Sequence, residues 1–386
     1  MTLDLIEAGL PADWRDALLV GRIDNGQGPT PVLVRGGIVQ DVSAKAATVA
    51  ELLARDDLAT LTGVDLGPLD ALGLVPATVD ARGPVLLAPI DLQCVKAAGV
   101  TFAVSALERV IEERARGDAD AAAAFRGKLE ASMGGDIRVV KPGSPEADAL
   151  KAALIAEGSW SQYLEVAIGP DAEIFTKAPV LASIGWGGDI GVRSDSTWNN
   201  PEPEIVIVVD PAGKPVGATL GNDVNLRDFE GRSALLLGKA KDNNASCALG
   251  PFIRLFDDRF TMDDVRGAIV DLTIDGPEGY VLTGSSSMDQ ISRDPTDLVR
   301  QALSEHQYPD GFVLFLGTLF APVQDRDVPG RGFTHRDGDV VRIATPTLGA
   351  LVNRVTTSKA AAPWTMGIGA LVRNLAGRGL LKMEAK

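Results

Sequence analysis

The stretch EPEIVIVV, residues 202–209, sets two acidic side chains against an uninterrupted apolar run. The β-branched run 205–209 ends at Asp210 and a further proline, which predicts a short buried strand. Residues two apart on a strand face the same way, so Glu202 and Glu204 project together. The chain therefore presents paired carboxylates where a buried strand begins.

A third carboxylate follows on the next segment. Residues 211–220 are typical of a hairpin, which would fold Asp223 back beside Glu202 and Glu204. Three converging carboxylates repel one another unless a cation neutralises them, and oxygen ligands suit Mg²⁺, Mn²⁺ or Ca²⁺. The spacing predicts a divalent metal site, although a Glu-x-Glu at a strand edge is also typical of a solvated face.

The residues beyond this acidic group follow a recognisable order. After Asp223 the chain carries Lys241 and then a Leu-Gly-Pro tripeptide at residues 249–251. This order resembles the fumarylacetoacetate hydrolase superfamily, and other segments match short motifs of that family in the same order. The matching segments are residues 98–103, 173–179, 317–318, 338–341 and 348–355. The resemblance covers residues 94–355.

The resemblance implies both a fold and a metal site. The implied fold is α+β, the mixed β-sandwich roll of the fumarylacetoacetate hydrolases, preceded by a smaller N-terminal α/β domain. Glu202, Glu204 and Asp223 correspond to the family's metal ligands, and Lys241 corresponds to its active-site lysine. The implied cofactor is Mg²⁺, with Mn²⁺ as the alternative ion.

The length of the chain favours two domains, because 386 residues exceed one average domain. Residues 1–90 predict the small N-terminal α/β domain, with strands at 17–20 and 31–34 and a helix at 44–54. Residues 91–386 predict the catalytic domain.

The larger part of the chain changes from helical to β patterning. Between residues 105 and 157 alanine, glutamate and arginine recur at helical spacing, and Glu112 with Arg116 is a predicted i, i+4 ion pair. After Glu173 the pattern is mostly β. The predicted strands are 205–209, 268–274, 280–282, 312–316 and 340–343.

Composition and charge exclude several classes of protein. A net charge of −15 without a basic stripe argues against nucleic-acid binding. Residues 1–10 lack the basic start of a secretory signal, and no apolar stretch approaches the roughly 20 residues that cross a membrane. Two cysteines, Cys94 and Cys247, fit a reducing cytoplasm. We expect a cytoplasmic protein, and the resemblance implies a homodimer or homotetramer.

The scarcity of histidine separates the branches of the superfamily. Its hydrolases carry a His and a Glu just after a Gly-x-Asn-Tyr strand, and this pair activates water. Counting from Gly99, these positions fall on Ser105 and Glu108, and a serine cannot serve as that base. Glu173, four residues before Lys177, is then a candidate for a relocated base.

This pattern is similar to the sugar-acid dehydratase branch of the superfamily, which acts on 2-keto-3-deoxypentonates. The implied partner is a small 2-keto sugar acid, 2-keto-3-deoxy-D-xylonate, which loses one water to give 2,5-dioxopentanoate. Glu173 is the predicted base for the C3 proton, with Glu108 as the alternative. Lys241 is predicted to stabilise the enolate that results.

Three further residues are predicted to bind substrate by analogy with the family. Thr318 belongs to the Gly-Thr turn, Ser105 takes the place of the hydrolase histidine, and Arg227 matches an arginine near the metal. For Arg227, a structural salt bridge with Asp228 or another neighbour is the alternative.

Two other functions stay open at this point. A carbon–carbon bond hydrolase acting on acylpyruvates would release two carbonyl fragments, and the serine at position 105 counts against it. A non-catalytic module would bind the metal and a keto acid without turnover.

Overall fold

The computed structural model describes residues 4–78, 81–116, 118–122, 140–156, 158, 160–320, 322–327 and 332–381. This part of the chain contains two large β-sheets and one two-stranded sheet. The strands are β1 (Leu19–Asp24), β2 (Pro29–Arg35), β3 (Ile38–Asp41), β4 (Val64–Pro68), β5 (Val75–Pro76), β6 (Val85–Leu86), β7 (Cys94–Gly99), β8 (Glu173–Ala178), β9 (Asp189–Val192), β10 (Asn199–Asn200), β11 (Pro203–Val209), β12 (Pro215–Asp223), β13 (Asn225–Leu226), β14 (Cys247–Leu255), β15 (Ile269–Asp275), β16 (Val281–Ser287), β17 (Phe312–Phe315), β18 (Val340–Thr345) and β19 (Gly349–Thr357). The helices are α1 (Leu5–Ala8), α2 (Val49–Leu53), α3 (Ala103–Arg114), α4 (Pro145–Ala156), α5 (Gln162–Ile168), α6 (Arg227–Glu230), α7 (Leu237–Lys241), α8 (Met262–Arg266), α9 (Pro295–Leu303) and α10 (Ile368–Gly377).

The larger sheet has twelve strands, ten of them in the order β4-β3-β2-β1-β14-β12-β11-β17-β7-β8, with β6 paired to β1 and β5 paired to β6. Strands β17 and β7 are parallel, whereas the pairs β12–β11, β11–β17 and β7–β8 are antiparallel. As a consequence, β7, β12 and β17 end at the same edge of the sheet at which β8 and β11 begin.

Strand β11 is buried along its whole length, as the sequence predicts. Ile205 and Ile207 pack into the core on one face of the sheet, and Val206 and Val208 pack into a second core on the other face. Because side chains alternate along a strand, an unbroken β-branched run is what a strand with two covered faces requires.

A second sheet covers one face of the first. It has five strands in the order β16-β15-β18-β19-β9. Leu272, Ile343 and Leu351 from this sheet share one hydrophobic cluster with Ile207 of β11. The two sheets therefore form a sandwich with helices outside it, which confirms the predicted α+β class.

The N-terminal strands belong to the larger sheet. Leu19 and Val20 of β1 pair with Arg254 and Ile253 of β14, so the sheet runs without interruption from the first strands into the strands after residue 90. The division into a small domain 1–90 and a catalytic domain 91–386 stays a prediction.

Helix α2 is shorter than the predicted helix at 44–54 because it has a defined start. The Thr48 hydroxyl accepts a hydrogen bond from Glu51 N (3.0 Å). The carboxylate of Asp91 accepts hydrogen bonds from Val49 N (2.6 Å) and Ala50 N (3.0 Å). These groups satisfy the first free amides of the helix and fix its first turn.

Three helices form a layer beside the sheet edge. Val110 of α3, Leu154 of α4 and Leu164 of α5 lie in one hydrophobic cluster. The chain passes from the end of β7 directly into α3, so polar residues on this helix can face the sheet edge. None of the helices in the described ranges combines the length and hydrophobicity needed to cross a membrane.

We predict that Ile207→Ala lowers the free energy of unfolding by roughly 2–5 kcal/mol, because it leaves a cavity at a fully buried position. Ile269→Ala on β15 is the matched control, since Ile269 is 55% exposed, and it should change stability by less than about 1 kcal/mol. Urea denaturation followed by circular dichroism measures both. Equal losses in the two variants would contradict a core centred on β11.

Candidate metal and active site

Three carboxylates converge at the sheet edge. Glu202 precedes β11, Glu204 lies on it opposite Gly221, and Asp223 ends β12. One oxygen from each carboxylate lies within 4.8 Å of the other two, and all three residues are buried. The predicted hairpin after β11 is confirmed, and it is this pairing that returns Asp223 to the other two acids.

Two lysines neutralise part of this charge. Lys241 Nζ, at the end of α7, lies 2.5 Å from Glu202 Oε2 and 3.1 Å from Asp223 Oδ2. Lys177 Nζ, on β8, lies 2.7 Å from Asp223 Oδ1. Burial raises the pKa of Asp223, but the two lysines outweigh it and hold the pKa of this carboxyl below its ordinary value.

Arg109 on α3 joins the site, and the sequence reasoning missed it. Its guanidinium forms ion pairs with Glu202, with Glu112 (2.6 Å) and with Glu230 (3.1 Å). The i, i+3 spacing of Arg109 and Glu112 was the available signal. The predicted pair of Glu112 with Arg116 is wrong, because Glu112 is buried inside this network and α3 ends at Arg114.

Two carboxylates of the site form no ion pair with any described residue. Glu204 Oε2 accepts a hydrogen bond from Gly317 N (2.7 Å). Burial, with Asp223 and Glu202 as negative neighbours, raises the pKa of Glu204 well above its ordinary value. Glu173 is half-buried, and its burial together with the charge of Glu230 raises its pKa to about 7.

The position of Glu173 depends on a glycine. Gly99 at the end of β7 pairs with Glu173 at the start of β8. A Cβ atom at position 99 would lie 2.1 Å from Glu173 Oε2, so a side chain there would displace the carboxylate.

The ion pairs leave an excess of negative charge. In the ion pairs around the three acids, Glu112, Glu202, Asp223 and Glu230 are matched by Arg109, Lys177, Arg227 and Lys241. The four negative charges and the four positive charges of these groups are equal in number, so the carboxyl groups of Glu204 and Glu173 are left without a matching cation among the described residues. An oxygen-only set of three carboxylates with excess negative charge fits a hard divalent cation such as Mg²⁺ or Mn²⁺.

These side chains line one cavity. Its described lining residues are Ala98, Gly99, Val100, Ser105, Arg109, Glu173, Phe175, Glu202, Glu204, Asp223, Glu230, Lys241 and Thr318. The structure thus brings Glu173, Lys241, Ser105 and Thr318 to the three acidic residues. In the described chain the Ser105 hydroxyl donates to Phe102 O (2.9 Å), and the Thr318 hydroxyl donates to Phe320 O (3.0 Å).

Two of the predicted site residues are not among those that line the cavity. Glu108 is buried on α3, one residue before Arg109. Arg227 is buried behind the site, where its Nε donates to Asn200 Oδ1 (2.8 Å) and pairs with Glu112 Oε1 (3.3 Å). Arg227 therefore forms a structural salt bridge, which is the alternative to substrate binding, and its partner in the described chain is Glu112 and not Asp228.

Neither histidine of the chain is among the lining residues. His306 is exposed and stacks on Tyr308, and the His335 imidazole is buried against Asp339 (3.1 Å). Proton transfer in this cavity rests on its carboxylates and lysine.

Comparison with known proteins places this site in a family. Residues 165–356 match the family model described as fumarylacetoacetate (FAA) hydrolase C-terminal. This region belongs to the fumarylacetoacetate hydrolase family. The match includes the three converging carboxylates, Lys241 and Glu173 of the family domain.

Two curated relatives share part of this sequence. The chain is 33% identical over 186 residues to 2-dehydro-3-deoxy-D-arabinonate dehydratase of Saccharolobus solfataricus. These aligned residues make up 47% of this chain and 58% of the relative. It is 32% identical over 195 residues to a probable 2-keto-3-deoxyxylonate dehydratase of Haloferax volcanii. This alignment covers 50% of this chain and 64% of the relative. The aligned part therefore spans less than two thirds of either relative.

Solved structures share the fold over a longer range. A 2-keto-3-deoxy-D-arabinonate dehydratase in its apo form superposes with a TM-score of 0.64 at 22% identity, over 88% of this chain and 99% of that chain. A structure of 2-keto-3-deoxy-D-arabinonate dehydratase complexed with magnesium and 2,5-dioxopentanoate gives 0.62 at 23% identity with the same coverage. A 5-carboxymethyl-2-hydroxymuconate delta-isomerase from Mycobacterium smegmatis gives 0.53 at 21% identity, over 88% of this chain and 98% of that chain. These likenesses show the fumarylacetoacetate-hydrolase-like fold.

We predict that Glu173 titrates near pH 7 in protein treated with EDTA. Because its folded pKa lies above the ordinary 4.5, the folded protein holds this proton more tightly than the unfolded chain does. The free energy of unfolding, relative to Glu173→Gln, should therefore fall as the pH rises from about 4.5 to 7 and stay constant above that range. Denaturation at a series of pH values measures this, with Glu305→Gln, the same change at an exposed position, as the matched control. A Glu173→Gln variant with the wild-type slope would contradict the shift.

Proposed function

We propose that this chain is a Mg²⁺-dependent dehydratase that converts 2-keto-3-deoxy-D-xylonate into 2,5-dioxopentanoate. The observation that carries the proposal is Glu173, a carboxyl with a pKa near 7 that faces the same cavity as three converging carboxylates. The names of the two curated relatives support the same substrate class.

Glu202, Glu204 and Asp223 would hold the cation. When bound, Mg²⁺ supplies Lewis-acid polarisation of the keto group of an α-keto acid, and Mn²⁺ can replace it. The need for a cation is greatest at Glu204, which has a hydrogen bond from Gly317 N but no ion pair among the described residues.

Glu173 is the proposed base. The substrate has a ketone at C2, a methylene at C3 and a hydroxyl at C4, so the C3–H bond is the acidic one. A base with a pKa near 7 is partly ionised at neutral pH and returns its proton readily. Glu173 takes the C3 proton and gives it to the C4 hydroxyl, which leaves as water. The C3=C4 double bond then moves to C4=C5, with loss of a proton from C5 and gain of one at C3. The resulting C5 enol loses its hydroxyl proton and gains a proton at C4, which gives the aldehyde.

Lys241 and Arg109 supply fixed positive charge where negative charge develops on the keto oxygen. Nearby Asp223 and Glu202 raise the pKa of Lys241 in spite of its burial, so it stays an ammonium. Both cations are already held by Glu202, so little reorganisation is needed during the reaction.

Ser105 and Thr318 are the proposed substrate contacts in the cavity wall. Their hydroxyl protons are engaged by backbone carbonyls, which leaves their oxygens free to accept a hydrogen bond from a substrate hydroxyl. Donation from Thr318 to the substrate carboxylate requires exchange of its bond to Phe320 O. Arg227 would act through Glu112 and Asn200 as a positioning residue.

The hydrolase alternative has less support. Cleavage of a carbon–carbon bond needs a base that activates water, and the position of the family histidine is Ser105, whose hydroxyl donates to its own helix. Glu108, the second member of that pair, is not among the described residues that line the cavity.

We predict turnover of 2-keto-3-deoxy-D-xylonate by the purified protein with Mg²⁺, measured through a coupled aldehyde dehydrogenase that oxidises the product. EDTA should abolish this activity. Glu204→Gln should lower kcat/KM by about 100-fold or more, because it removes a metal ligand. Its thermal stability without metal should be equal or higher, since the variant removes a buried unpaired charge.

Glu305→Gln is the matched control for this assay, because it makes the same change at an exposed position. Wild-type rates in Glu204→Gln would remove that residue from the metal site. Release of two carbonyl fragments from an acylpyruvate would favour the hydrolase. Binding of Mg²⁺ and keto acid without turnover would favour the non-catalytic module.

We predict that Glu173→Gln stops the exchange of C3 hydrogen for deuterium in 2-keto-3-deoxy-D-xylonate, with a loss of about 100-fold or more. Proton NMR of the substrate in heavy water measures this exchange, and calorimetry should show that the variant still binds Mg²⁺. Continued exchange in Glu173→Gln, with loss of exchange in Glu108→Gln, would move the base to Glu108.

A further inference from the structure

A second cavity lies apart from the acidic one. It has a volume of about 360 Å³, and among the described residues it shares no lining residue with the acidic cavity. Its walls come from β1, the start of β2, the segments after β5 and β6, the segment that leads into β9 with the first residue of that strand, and the chain between β19 and α10. Its size is within the range of pockets that bind small molecules.

Arg22 on β1 lines this cavity and is only 5% exposed. Its Nε and Nη1 atoms are buried and have no hydrogen-bond partner among the described residues. Buried charges in proteins are normally paired, because an unpaired one loses its hydration without compensation. Burial lowers the pKa of Arg22, and the charges of Asp91 and Asp24 offset this only in part.

The acidic residues near Arg22 are engaged elsewhere. Asp91 accepts hydrogen bonds from two backbone amides at the start of α2 (2.6 and 3.0 Å). Asp24 accepts two from amides of the turn between β1 and β2 (2.7 and 2.9 Å). Asp189, in the cavity wall, is held by Arg354 with two bonds of 3.0 Å. None of these three forms an ion pair with Arg22 in the described chain.

We infer that this cavity binds a small monocarboxylate whose carboxylate pairs with Arg22. A planar guanidinium offers two parallel N–H donors that match the two oxygens of a carboxylate. Asp24 and Asp189 line the same cavity and repel a second negative charge, so a monoanion is favoured over phosphate. Leu87 and Ile184 provide an apolar wall for a short hydrocarbon body.

Isothermal titration calorimetry with butanoate as the probe tests this inference. We expect one binding site in the wild-type protein. Arg22→Met should weaken binding by about ten-fold or more, because it removes a charged hydrogen-bonding partner. Butan-1-ol and inorganic phosphate should bind more weakly than butanoate. Titration with butanoate should also shift the Nε–Hε NMR signal of Arg22, which is assigned by its loss in Arg22→Lys.

Two further variants keep the test decisive. Ala362→Phe places a ring at an exposed position of the cavity wall, leaves Arg22 intact and should also weaken butanoate binding. Arg373→Met, on an exposed position of α10, is the matched control and should bind like the wild type. If Arg22→Met does not fold, Ala362→Phe and the NMR shift decide. Equal binding in wild type and Arg22→Met, no binding of butanoate, tighter binding of phosphate, or an unmoved Arg22 signal would overturn the inference.

Discussion

The acidic cavity depends on Glu202 being held between two cations from different parts of the chain. Lys241 approaches it from α7 and Arg109 from α3, while Glu202 itself immediately precedes β11. Burying an ion in the protein interior costs several kcal/mol unless a group of opposite charge is buried next to it. These ion pairs therefore join three elements that are far apart in sequence, and they allow further carboxylates to be buried beside them.

The distribution of charge also separates structural acids from chemically useful ones. Glu112 and Glu230 form ion pairs with Arg109, and Glu112 also pairs with Arg227, so these acids hold the architecture. Glu204 and Glu173 receive no such partner among the described residues, and the pKa of each is raised. A carboxylate that has no ion-pair partner in the protein is available to bind a cation or to accept a proton from the substrate.

Part of this arrangement could be predicted from the sequence because it follows local rules. The β-branched run after Glu204 and the hairpin that brings back Asp223 both come from short-range periodicity, and both are present. The partners of Glu202 could not be predicted in this way. On a helix, successive residues point about 100° apart, so whether Glu108 or Arg109 reaches the cavity depends on how α3 packs. The shorter α2 likewise depends on Asp91, a tertiary contact that the helical pattern does not contain.

Backbone approach shapes the cavity as much as side-chain charge does. The absence of a side chain at Gly99 leaves the space that the carboxylate of Glu173 fills. Gly317 has a φ of +97°, and its amide donates a hydrogen bond to Glu204. The strand order carries a consequence of another kind. Because β1 pairs with Ile253 and Arg254 of β14, a fragment that starts after residue 90 would leave this edge of a long apolar strand open. Such an edge is a template for aggregation, so shortened versions of this protein made for expression or crystallisation have to retain the first strands.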